Sequence, residues 1–153
     1  MRILYVLQFV VLTAMLGVGC DNGEPDTDEI TVEDFVGSWT ASSHTFTNNA
    51  DQSQSFDTIA NDGETRTTVL TGGGTRTWFE LGTFSDEWDS QMSINGTTLT
   101  MTPVETTRET RTWTFTLEGT VITLTDATSS FDFTLSDAAE VSSTEVVVLV
   151  RTN

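Results

Sequence analysis

"RTWTFTLEGTVITLTD" (residues 111–126) alternates apolar side chains with threonine on both sides of a glycine-containing turn. Threonine is β-branched and favours strands, and a period of two places the apolar residues on one face. A hairpin centred on Glu118-Gly119 would give the pairs Leu117–Thr120, Phe115–Ile122, Trp113–Leu124 and Arg111–Asp126. Every apolar residue except Val121 then lies on one side, and a one-residue slip would destroy this segregation.

A second hairpin is predicted in "QMSINGTTLTM" (residues 91–101), because Asn-Gly is a strong signal for a two-residue turn. A turn at Asn95-Gly96 would place Met92 opposite Leu99, with Ile94 and Met101 on the same face. Further turn signals lie at 61–63, 72–74 and 136–142. The remaining strand candidates are residues 39–47, 53–60, 65–70, 75–84, 130–135 and 145–151.

The pattern of short strands and tight turns predicts an all-β domain. About nine or ten segments follow one another, and none of them shows helical periodicity. Sequential antiparallel strands lose their two exposed edges when the sheet closes. We therefore expect an antiparallel up-and-down meander barrel of about 8–10 strands, with a two-sheet sandwich as the alternative.

The chain begins with features of an export signal. Arg2 precedes an apolar run over residues 3–18, which is shorter than the ~20 residues that span a bilayer. We expect residues 1–19 to be a signal peptide. Gly17-Val18-Gly19 fits cleavage by an ordinary signal peptidase, which would give a plain secreted protein. Residues 16–20, "LGVGC", also resemble the lipobox of bacterial lipoproteins.

The lipoprotein interpretation explains the use of cysteine. Cys20 is the single cysteine of the chain, and an unpaired thiol is unusual in an oxidising compartment. The resemblance to bacterial lipoproteins implies that Cys20 is lipidated and holds the protein to a membrane. The expected location is the cell envelope, on a periplasmic or cell-surface face.

The segment after Cys20 is acidic. Residues 21–34 contain seven Asp and Glu residues and no basic residue, so residues 20–34 are predicted to be a disordered tether of about 20 Å. A calcium loop is disfavoured, because the acid spacing matches no ordered cation loop. Residues 35–153 would then form one domain. The net charge of −17 and the absence of lysine exclude a basic nucleic-acid-binding surface.

"FVGSWT" (residues 35–40) and the final "VVVLVRTN" (residues 146–153) carry a second resemblance. A Gly-x-Trp at the first strand, a meander and a last strand ending in arginine resemble the lipocalin family and its bacterial relatives. The resemblance covers residues 35–152. It implies that Gly37 and Trp39 close one end of the barrel, and that Arg151 lies across the indole of Trp39 in a cation–π contact.

Catalytic and metal-binding motifs are not evident. His44 is the only histidine, there is no Gly-x-Ser-x-Gly elbow, and a zinc site would lack ligands. His44 is interpreted as an ordinary strand residue. Glycosidase chemistry by paired carboxylates is disfavoured, because most acids will be solvated. We expect no catalytic residues, no metal site, no cofactor and no enzymatic activity.

The apolar inward face suggests a binding cup. We expect a monomer that binds a small hydrophobic molecule, and a filled barrel acting as a protein-interaction or structural module is the alternative. Trp88 is a candidate rim residue. An internal void above about 300 Å³ would favour binding. The candidate ligand contacts are Phe79, Met92, Met101, Trp113, Phe115, Phe131 and Phe133.

Overall fold

The computed structural model of the chain describes residues 29–135 and 139–152. The predicted signal peptide, Cys20 and residues 21–28 of the predicted tether lie outside the described residues. Two short helices are present, α1 (Val32–Phe35) and α2 (Thr58–Asp62). The strands are β1 (Gly37–Asn48), β2 (Ser55–Asp57), β3 (Thr65–Thr71), β4 (Gly74–Leu81), β5 (Phe84–Asn95), β6 (Thr98–Pro103), β7 (Arg111–Glu118), β8 (Val121–Phe131) and β9 (Val141–Thr152).

The sheet closes on itself. From β3 to β9, each strand pairs antiparallel with the next, and β1 pairs with both β3 and β9. The closed barrel therefore has eight strands, β1 and β3 to β9, while β2 extends only the C-terminal half of β1. The predicted antiparallel up-and-down barrel is confirmed, and the pairing of β1 with β9 rules out the two-sheet sandwich.

The predicted hairpin registers are wrong by two residues. Leu117 pairs with Ile122, and Met92 pairs with Met101 rather than with Leu99. In both hairpins a glycine with φ near +60° takes the first of two loop positions, as in a type II′ turn, and a threonine takes the second. The shift is even, so each side chain stays on its predicted face. The three loops of this kind are Gly82-Thr83, Gly96-Thr97 and Gly119-Thr120.

Two predicted strands are divided differently. The segment 75–84 is not one strand, because the Gly82-Thr83 loop separates β4 from β5. The segment 130–135 is not a separate strand either. β8 continues to Phe131, and the chain then turns over residues 132–135.

The segment 53–60 was predicted as a strand and instead contains β2 and the start of α2. The Asp57 carboxylate caps α2, because its Oδ1 accepts hydrogen bonds from the backbone N–H groups of Ile59 (2.9 Å) and Ala60 (3.0 Å). Gly63 ends the helix with φ +71°. α2 thus connects β2 to β3 along the same edge of β1.

The apolar core fills one end of the barrel. Ile30 and Val32 pack against this core, although the sequence interpretation assigned them to the tether. None of the helices in residues 29–135 and 139–152 is long and apolar enough to cross a membrane. The buried core residues at this closed end include Phe35, Trp39, Leu70, Met92, Leu99, Phe115, Ile122 and Leu149.

Candidate functional site

Trp39 and Arg151 close the end of the barrel next to α1. Trp39 is fully buried, and the Arg151 guanidinium carbon lies 4.5 Å from the centre of its ring. The Trp39 indole N–H donates to the Phe35 carbonyl (2.7 Å), and Arg151 Nη2 donates to the Asp34 carbonyl (2.7 Å). The two side chains therefore satisfy carbonyl groups at the end of α1 and join it to β1 and β9.

Gly37 sits beside this pair with a φ of +148°, a conformation that L side chains rarely adopt. A Cβ at this position would lie 3.7 Å from Arg151 Nε and 3.8 Å from Trp39 Nε1, which is ordinary contact. Backbone conformation, rather than space, therefore requires glycine here.

The opposite end of the barrel contains a cavity of about 1130 Å³. It is lined by residues at the C-terminal ends of β1, β4, β6 and β8 and at the N-terminal ends of β3, β5, β7 and β9. One part of its wall is apolar. That part contains Phe79, Leu81, Met101, Trp113, Leu124 and Val147.

Three of the seven predicted ligand contacts line this cavity, namely Phe79, Met101 and Trp113. Trp113 also belongs to the packed core, as do Met92 and Phe115, which do not line the cavity. The Phe131 ring stacks on Phe46, with centroids 4.4 Å apart, and Phe133 meets Phe131 edge-on at 5.0 Å. The structure therefore does not bring all seven side chains together. Four of the predicted ligand contacts lie outside the cavity wall: Met92, Phe115, Phe131 and Phe133.

A cluster of charged side chains also faces the cavity, which the sequence interpretation did not predict. We call it the charged cluster, and its members are His44, Glu64, Arg66, Arg111, Asp126 and Glu145. His44 lies at its centre, donating from Nδ1 to Glu64 Oε2 (2.8 Å) and from Nε2 to Glu145 Oε1 (2.9 Å). His44, Glu64 and Glu145 are 4, 3 and 1% exposed, respectively.

The protonation of the charged cluster follows from these contacts. Burial alone would lower the pKa of His44, but its hydrogen bonds with Glu145 and Glu64 outweigh burial and raise that pKa above its ordinary value. Burial alone would raise the pKa of Glu145, yet the hydrogen bonds from His44 and Arg111 lower it to about 2. Both ring nitrogens face carboxylates, which favours the protonated form of His44 more than in an ordinary histidine.

His44 lies in strand β1, as predicted, but its inward orientation and its place in the charged cluster were not predicted, and a bulge in β1 is the reason. The pairing of β1 with β9 shifts register between Ala41 and Ser43, which moves His44 into the inward phase. Thr58 Oγ1 also donates to the His44 carbonyl (3.2 Å), where α2 takes the place of a neighbouring strand.

Arginine and aromatic side chains are paired around the cavity. The guanidinium carbons of Arg66, Arg108 and Arg111 lie 5.6, 4.3 and 4.9 Å from the ring centres of Phe79, Trp88 and Trp113, respectively. Arg108 also forms an ion pair with Asp86. Trp88, the predicted rim residue, lies in β5 and lines the cavity. The chain has a net charge of −17 and only six Lys and Arg residues. Three of these six line the cavity.

Within residues 29–135 and 139–152, no group of three or more His, Cys, Asp or Glu side chains is arranged to hold a metal ion. Comparison with protein-family models, curated proteins and solved structures finds no match to this chain.

Proposed function

We propose that this chain is a lipid-anchored cell-envelope protein whose barrel binds a small, largely apolar molecule without catalysis. The cavity carries this proposal. Its volume of about 1130 Å³ is slightly above the roughly 300–1,000 Å³ range of small-molecule sites. A filled barrel, which the alternative of a pure interaction module requires, would not contain such a space.

The division of the barrel into two ends supports a preformed site. The closed end is packed around Trp39, whereas the opposite end contains the cavity. An apolar ligand would bind because its apolar surface is removed from water and packs against the part of the wall that contains Met101 and Leu124. Such burial contributes about 25 cal/mol for each Å² of apolar surface.

A substitution that places a larger side chain in the cavity tests binding. Thr77 is buried in β4 and lines the cavity, whereas Thr116 is exposed on the outer face of β7. Thr77→Phe should weaken the binding of an uncharged fluorescent probe such as N-phenyl-1-naphthylamine to the full chain, and Thr116→Phe should leave it intact. Equal binding by the two variants, or no binding by the wild type, would overturn the proposal.

Membrane anchoring depends on Cys20, which lies outside the described residues, and the support for it comes from the sequence. The lipobox-like residues 16–20 and the acidic residues that follow are arranged as in an exported, tethered domain. Cys20→Ser should move the protein from the membrane fraction to the soluble fraction of cells that make it. Unchanged membrane partition would refute lipidation.

A further inference from the structure

The chain enters the barrel at its closed end. Ile30 packs against the core of that end, and α1 follows. Arg151, in β9, holds α1 through the Asp34 carbonyl (2.7 Å). Trp39, in β1, holds it through the Phe35 carbonyl (2.7 Å). The part of the chain before Ile30 therefore leaves the barrel at the end opposite the cavity.

The cavity opens at the other end, which we call the mouth. The Gly82-Thr83 loop lies there, between β4 and β5. Phe84 follows this loop, lines the cavity and is 58% exposed, so solvent reaches the cavity from this side. The other two loops of this type, Gly96-Thr97 and Gly119-Thr120, lie at the closed end. β5 thus runs from the mouth to the closed end.

The distance between the two ends is larger than the usual span of the predicted tether. β5 has 12 residues, and at ~3.3 Å per residue with a tilt of about 35–45° it covers roughly 30 Å of the barrel axis. Nine residues, 21–29, separate Cys20 from Ile30. A linker of that length has an end-to-end distance of about 17 Å and a maximum of about 35 Å. Only a linker close to its maximum length would let the mouth reach the surface that holds Cys20.

An orientation with the mouth against the bilayer is therefore unfavourable. A fully extended linker has few conformations, whereas a short span leaves it many. Charge does not offset this cost, because Glu109 and Glu140 are exposed at the mouth and an anionic bilayer surface repels carboxylates. The closed end stays near the bilayer without any extension of the linker.

We infer that the closed end is the membrane-facing surface of the anchored protein and that the mouth opens to the aqueous side. This inference rests on the proposed function, because it requires a lipid on Cys20, which lies outside the described residues. It specifies where the proposed site exchanges its ligand. The ligand enters and leaves the cavity from the aqueous side rather than from the bilayer that holds the anchor.

A matched set of labelled variants tests the orientation. Thr83, at the mouth, and Thr97 and Thr120, at the closed end, are exposed, and each follows the glycine of the same type of loop. Thr→Cys is therefore an equivalent change at the three positions. Cys20 is the single cysteine and carries lipid in this proposal, so the new thiol is the site that a maleimide donor dye labels. Thr107→Cys, in the exposed loop between β6 and β7, gives a second mouth site.

Energy transfer to the bilayer measures the height of each label. The lipidated full chain is purified from membranes and added to phosphatidylcholine vesicles that contain a headgroup-labelled acceptor lipid. Transfer from Thr97→Cys and Thr120→Cys should be at least about twofold larger than from Thr83→Cys, because the mouth lies roughly 30 Å farther out. Equal transfer from the two ends, or larger transfer from the mouth, overturns the orientation. Thermal unfolding identifies any labelled variant that fails to fold.

A longer tether tests the cause of the orientation. A Gly-Ser insertion of about twenty residues before Glu29 raises the end-to-end distance of the linker to about 30 Å, close to the length of the barrel. The difference in transfer between Thr83→Cys and Thr97→Cys should then shrink. A difference that the insertion leaves unchanged would overturn the assignment of the orientation to the tether.

The two proposals fail in different ways. If the full chain does not attach to the vesicles, or if its mass shows Cys20 without lipid, the proposed anchoring fails. If lipidated protein attaches and transfer is equal at the two ends or larger at the mouth, the orientation alone fails.

Discussion

Replacing Glu145 by glutamine should destabilise the barrel strongly, because it removes the anion that His44 and Arg111 share. Glu145 is 1% exposed, so solvent does not screen these contacts. A free glutamate has a pKa of about 4.3, and the fall to about 2 corresponds to roughly 3 kcal/mol. Removing one partner of a buried ion pair typically costs about 3–5 kcal/mol. We expect Glu145→Gln to lose about 3 kcal/mol of unfolding free energy at pH 7.

Urea unfolding at pH 7, followed by tryptophan fluorescence, measures this loss. Asp89→Asn is the control, since Asp89 forms an ion pair with Arg76 (2.7 Å) between side chains that are both about half exposed. Such surface pairs are screened by water and contribute little to stability. A loss for Glu145→Gln that is no larger than the loss for Asp89→Asn would refute the reasoning.

The pH dependence gives a second test of the same carboxylate. The folded-state pKa of Glu145 is depressed, so its contribution is present above pH ~4.5 and is lost as the pH falls toward about 2. The difference between wild type and Glu145→Gln should therefore shrink in acid. A difference that does not change with pH would mean that the charge of Glu145 is not what stabilises the barrel.

Three further predictions concern the closed end and His44. Trp39→Ala should lower the unfolding free energy by about 3–5 kcal/mol in urea, and a loss below about 1 kcal/mol would exclude a role in closure. Gly37→Ala should cost about 1–3 kcal/mol because of its φ of +148°, whereas Gly73→Ala, which has open space, should change stability by less than about 0.5 kcal/mol. The folded-state pKa of His44 is raised, so the stability that protonated His44 contributes is full below pH ~6.5 and is lost as the pH rises through the folded-state pKa. Urea unfolding should show this loss in the wild type and not in His44→Gln.

The fold was predictable because it depends on local alternation. The pattern of residues 111–126 placed Trp113 and Ile122 on one face, and both are buried in the barrel. Strand ends and exact register were less predictable, because they depend on which loop position a glycine occupies. The repeated Gly-Thr loops were the available sequence signal. α2 was missed because five residues are too few to show helical periodicity.

The candidate site was predicted only in part. The contact between Trp39 and Arg151 is the one that the family resemblance implied. The Arg111–Asp126 ion pair was also expected, although the two residues are not directly opposite in the ladder. The charged cluster was not predicted, because the bulge between Ala41 and Ser43 in β1 decides whether the His44 side chain points into the barrel. The inward orientation of Arg66 and Glu145 was predictable, because side chains two residues apart in a strand lie on the same face. Each of the two is two residues from a buried residue of its own strand.

The indole N–H resonances of the four tryptophans offer the most direct test of a cavity that binds a small, largely apolar molecule. They can be assigned in ¹⁵N-labelled protein by Trp→Phe variants. Saturating decanoate, a ligand with an apolar chain, should shift the Trp113 signal strongly, because Trp113 lines the cavity. The signals of Trp39, at the closed end, and Trp78, on the outer face, should stay in place. A Trp113 signal that does not move while decanoate is bound would contradict the account.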